Sequence, residues 1–144
     1  MSRTQQVRVY AAEDTLLDHG RVFGSIAEVQ AYLDDLRDRW WWDNPAVVRV
    51  EVYPIKGRKS MAAFHASRNA GLMELAKGGM NLHTVLHELA HITAQAKHGS
   101  EAHDPWWARE LLVLTYFERG PEAYVELARA FDRHDVIHDP KEAE

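Results

Sequence analysis

The run Asn81-Leu82-His83-Thr84-Val85-Leu86-His87-Glu88-Leu89-Ala90-His91-Ile92-Thr93-Ala94 constrains this chain more than any other stretch. Its apolar residues fall on nearly every side of a helix, which predicts a helix buried in the protein rather than lying on it. Inside that run stands His87-Glu88-Leu89-Ala90-His91, the pattern H-E-x-x-H. On a helix, residues four apart lie one turn above each other on the same face. His87 and His91 then aim two imidazoles at one point, as a tetrahedral metal ion requires. Glu88 lies about 100° round the helix, close enough to reach a water on the metal without itself ligating. Unpaired His and Glu seldom enter such surroundings, because burying an unpaired charge is costly. The competing reading needs no metal: two core histidines satisfied by hydrogen bonds, with Glu88 at the surface.

A chain of 144 residues is one domain, here spanning 1–144, and is long enough for a sizeable core. The net charge of -5 argues against a broad nucleic-acid-binding surface, and an ordinary soluble globule fits the 46% hydrophobic and 27% charged content. There is no cysteine. Disulfides, thiolate zinc sites and thiol nucleophiles are excluded together. No run approaches the roughly 18 apolar residues of a membrane span, and the polar N-terminus lacks the apolar core of a signal peptide. A cytoplasmic protein is expected.

Val7-Arg8-Val9-Tyr10-Ala11-Ala12 alternates with period two and predicts a first strand. After a loop at Asp18–Arg21, Ser25 with Glu28 forms a capping box for a helix to about Arg39, its apolar face Ile26, Val29, Tyr32, Leu33 and Leu36. Of the triplet Trp40-Trp41-Trp42, at least one ring is expected on the core and the others over the helix end. Val47–Tyr53 predicts the clearest strand, ended by Pro54, and Lys56-Gly57-Arg58-Lys59 a solvated basic turn. Ala62–Ala66 and Gly71–Leu75 predict a hairpin. Asn81 caps the H-E-x-x-H helix, which ends at Lys97–Ser100. Asp104-Pro105 opens the next helix, and Pro121 the last, with a polar, frayed tail over 132–144. The order is strand, helix, three strands, three helices: an α+β domain with helices packed on one small mixed sheet.

A catalytic zinc site normally has three protein ligands and one open position. His98, His103 and Glu110 compete for the third place, at seven, twelve and nineteen residues beyond His91. The run His103-Asp104-Pro105-Trp106-Trp107-Ala108-Arg109-Glu110-Leu111-Leu112 resembles the H-G-P-x-F segment that follows H-E-L-x-H in SprT-like proteins, which belong to the zincins. It is similar also to a family of small metallohydrolases, and the similarity continues through Glu118-Arg119-Gly120-Pro121-Glu122-Ala123 to Phe131. The resemblance implies a zincin core with His87, His91 and His103 as zinc ligands and Glu88 as general base. Asp104 stands where the family has glycine. The cysteine-rich ribbon of DNA-associated SprT-like proteins has no counterpart here, so no DNA-repair role is carried over.

The expectation is a Zn2+ metallohydrolase, a metallopeptidase acting on a peptide or protein through a zinc-activated water and Glu88. By the same resemblance the strand Gly71–Leu75 borders the cleft and pairs with an extended substrate. Two readings compete with it: a non-catalytic zinc-containing binding module with exposed tryptophans as its interface, and a hydrolase of non-peptide amides. His83, one turn before His87, is a partner behind the ligands, a residue lining the cleft or a capping residue near the helix start. Tyr116 is a candidate oxyanion donor, whereas His65, His134 and His138 are not expected to ligate.

Overall fold

The computed structural model describes residues 3–143. It is an α+β fold, with five α-helices and one three-stranded mixed sheet among the described residues. The helices are α1 (Arg3–Asp14), α2 (Ile26–Leu36), α3 (Leu82–His98), α4 (Pro105–Arg119) and α5 (Pro121–Arg133). The strands are β1 (Arg49–Ile55), β2 (Met61–His65) and β3 (Ala70–Ala76). None of these helices is long and apolar enough to cross a membrane.

The first element corrects the expected strand. Residues 7–12 lie within α1, and Gln5, Val9, Ala12, Glu13 and Leu16 are the buried positions. Those positions recur at three and four residues, which is the period of one helix face. Of the residues that suggested a strand, Val9 joins the core, Tyr10 is half-buried and Val7 is 60% exposed. The burial a helix gives this face outweighs a weak local preference.

In the sheet, β3 lies between the other two strands, parallel to β1 and antiparallel to β2. β1 starts later than expected and continues through Pro54. It is an edge strand, where the absent proline N–H breaks no ladder. The short helical turn Ala66–Arg68 closes the β2–β3 hairpin, with Asn69 in the left-handed region at φ 49°. Because β3 is paired on both sides, it cannot accept a further strand. The edge beside the cleft is β2.

The expected caps form. Ser25 Oγ accepts from Glu28 N, while Glu28 Oε2 accepts from Gly24 N. Asn81 Oδ1 accepts from Thr84 N at 2.9 Å, and Gly99 ends α3 at φ 62°. α3 packs against β2 and β3 on one side and α4 on the other, α5 joins α4 to α1, and α2 covers β1. Trp41 stacks on Phe117 at 4.7 Å, Trp42 packs on the core, and Trp40 stands 88% exposed. The segment after Asp132 is tied down rather than frayed. Val136 is buried, and the Gln5 side chain bonds the Ile137 carbonyl at 3.0 Å.

Gly71 is where β3 and α3 touch most closely. A Cβ there would lie 2.6 Å from Ile92 Cγ2 and 2.8 Å from Ile92 Cδ1. Ile92 is fully buried and β-branched, so its methyl groups have no free rotamer to move into. Gly71→Ala is expected to destabilise the fold by about 1–3 kcal/mol, measured as a lower midpoint in chemical denaturation.

Candidate metal centre

α3 places His87, Glu88 and His91 as a helix must, and every residue from Val85 to Ala90 on it is buried. His103 arrives from the loop before α4. Asp104 fixes that loop: its carboxylate accepts from Trp107 N at 3.0 Å, capping α4, and also from Ser100 Oγ and Glu101 N. Asp104 therefore pins the residue next to it. Ala102 adopts a left-handed φ of 47°, and its backbone hydrogen-bonds the His91 ring.

One nitrogen from each of His87, His91 and His103 lies within 4.8 Å of the others. The Nε2 atoms of His87 and His103 face each other at 3.1 Å. Two imidazoles on one tetrahedral zinc hold their nitrogens about 3.3 Å apart, close to the spacing of this pair. Burial and the neighbouring imidazoles push His91 down to about 2 and His103 down to about 4. Both rings are neutral at pH 7, with lone pairs free to ligate.

The buttress behind His87 is a residue that sequence reasoning missed. Glu13, on α1, receives His87 Nδ1 and His83 Nε2 on a single oxygen, each at 2.6 Å. Burial alone would raise the Glu13 carboxyl. The His87 charge and the hydrogen bonds from both rings outweigh it and hold the group far below the usual carboxylate range. Burial would likewise lower His87, but the Glu13 carboxylate raises it. With Nδ1–H donated to Glu13, Nε2 of His87 is turned to the cluster. Carboxylate–histidine pairs of this kind orient metal ligands and increase their basicity. Glu13, His83 and His87 form a second close grouping. Distances of 2.6 Å are hydrogen bonds, however, and leave no space for an ion, whose ligand atoms lie near 2 Å from it on either side.

The other candidates point elsewhere. Glu110 pairs with Lys97 at 3.1 Å, and the His98 ring stacks on Trp106 at 3.8 Å. His65 is exposed, His134 caps α5, and His138 bonds Asp132. Tyr116 packs on Phe117 and Tyr124; the tyrosine at the site is Tyr10, whose ring meets that of His103 edge-on at 5.2 Å.

Glu88 stands beside the cluster and outside it, with Oε2 4.0 Å from His87 Nε2. Burial raises its pKa, and Glu13 adds to the rise while His87 and Lys59 oppose it. A carboxylate with such a raised value is better matched to moving protons near neutral pH. Trp107 supports these histidines: its Nε1–H bonds the His87 carbonyl at 3.1 Å, and its ring stacks on His91.

No family model matches this sequence, and no curated protein or solved structure matches it significantly. The arrangement has to be judged on its own geometry. A helical reading of residues 5–16 would have put Glu13 among the inward positions; the strand reading concealed it. Glu13→Gln is expected to lower Zn2+ affinity about tenfold to hundredfold without removing a ligand, measured by competition against a chromogenic chelator.

Proposed function

We propose that this protein is a zinc-dependent metallohydrolase with a zincin, SprT-like core, and that it hydrolyses amide bonds in peptides. The observation that carries this is the convergence of His87, His91 and His103 with Glu88 alongside but outside the set. Three imidazoles with no thiolate suit zinc among common divalent ions. Bound there, the ion would make water acidic near neutral pH and polarise a carbonyl oxygen.

The chain's own residues supply the rest. In this reading Glu88 takes a proton from the attacking water as its oxygen bonds to the carbonyl carbon. As the carbon–nitrogen bond breaks, Glu88 returns that proton to the leaving amine, and its raised pKa suits both transfers. Glu13 holds His87 in one tautomer throughout. The peptide is favoured as substrate by the edge strand β2, whose first residues Met61 and Ala62 line the recess containing His91 and His103. An extended chain can add to such an edge as a further strand.

Glu88→Gln is expected to lower turnover of an unstructured peptide by at least about a hundredfold while Zn2+ stays bound at one equivalent. Full activity in that variant would refute the mechanism. Metal analysis assigns the third ligand: His103→Ala is expected to lose zinc, and Glu110→Ala to retain it. Stoichiometric zinc with no cleavage of any peptide would favour the binding-module reading, for which the exposed Trp40 is the natural contact.

A further inference from the structure

The space in front of the histidines consists of two recesses with a common wall. One, of about 350 Å3, extends over Glu13, Asp14 and His83; the other, of about 310 Å3, extends over His91, His103 and the start of β2. Tyr10 and Lys59 belong to the wall of both, Tyr10 from α1 and Lys59 from the β1–β2 loop. The Lys59 ammonium lies 5.6 Å from the centre of the Tyr10 ring.

The two recesses differ in charge. The first carries Glu13, Asp14 and Glu88 against Arg58 and Lys59, an excess of carboxylates that disfavours an anion. In the second, among the described residues, Glu88 is the only carboxylate and Lys59 the only lysine or arginine. Lys59 makes no ion pair with any described residue, although its charge is felt at both Glu88 and His103. Gln95 lines the same recess, and its Oε1 is committed to the Phe64 N–H at 2.7 Å. Its NH2 group is thereby left as a donor. An ammonium with no ion pair among the described residues and a side-chain amide with an uncommitted NH2 thus line a small space in which Glu88 is the only carboxylate among the described residues.

We infer that Lys59, assisted by Gln95, is the specificity-determining group of the cleft and binds a carboxylate that the substrate carries beside its scissile amide. The inference rests on the reading of the site as an amide hydrolase. A space of about 310 Å3 is at the small end of ligand sites, so the carboxylate and the amide lie within one or two residues of each other. The carboxylate comes either from a chain terminus or from an acidic side chain. In both cases Lys59 and Gln95 recognise it through charge-assisted and amide hydrogen bonds.

Three peptides separate these cases: N-acetyl-alanyl-alanine with a free carboxylate, the same peptide amidated, and amidated N-acetyl-alanyl-glutamate. Each is titrated calorimetrically into zinc-loaded Glu88→Gln protein, and kcat/KM for each is measured on the wild type. A peptide with a carboxylate is expected to bind about tenfold to hundredfold more tightly than the neutral one. Preference for the free terminus identifies a chain end as the ligand, and preference for glutamate a side chain. Lys59→Met is expected to bring the ratio to about one, Lys59→Glu to invert it, and Lys59→Arg to preserve it. Equal or absent binding of the three peptides overturns the inference, as does a preference that survives Lys59→Met. A Lys59-dependent binding preference with no hydrolysis of any peptide leaves the carboxylate site standing and removes the hydrolase reading.

Discussion

A single carboxylate oxygen holds the polar centre of this protein together. Glu13 is buried, and burying a carboxylate is costly unless hydrogen bonds replace the lost water. Here two imidazole N–H groups from successive turns of α3 replace it. Removing one partner from a buried charged pair costs about 3–5 kcal/mol, so α1 and α3 are joined by more than apolar contact. The same bond decides which nitrogen of His87 bears the proton. Position on the helix, tautomer and readiness to ligate thus follow from one interaction between residues seventy-four apart in the sequence.

The other side of the site is built by α4. Trp107 is fully buried, bonds the His87 carbonyl and stacks on the His91 ring. It therefore fixes the distance between the helix that carries two of the histidines and the loop that carries the third. Asp104 completes this by capping α4 one residue after His103. Its carboxylate satisfies backbone and side-chain donors that would otherwise leave the loop loosely held. The three imidazoles come from only two segments, yet three helices hold them in place.

Much of this was legible in the sequence where local rules and tertiary demands agree. Asn81, Asp104 and Ser25 cap helices in the structure because each sits before a strongly periodic apolar run. β1 and the β2–β3 hairpin read correctly because turn residues flank them, although β1 extends through Pro54 once its edge position is known. The N-terminal helix was not legible. Val7, Val9 and Tyr10 mimic a strand over six residues, and only the longer spacing from Gln5 to Leu16 reveals a helix face. The misreading hid Glu13, since a strand there gives no reason to face it toward α3. The basic turn Lys56–Lys59 is exposed, as its composition suggests. That Lys59 also borders the recess over His91 and His103 depends on the path of the chain between β1 and β2, which composition does not carry.

α1 serves as both buttress and wall: Glu13 braces His87 from behind, while Tyr10 on the same helix borders the open space in front. These duties cannot be separated by moving the helix. Swinging α1 outward to widen the entrance would pull Glu13 away from both imidazoles and unseat His87 from its orientation. The loop bearing Lys59, which meets the Tyr10 ring in the same wall, carries no brace of that kind, so the two sides of the recess are unequally fixed.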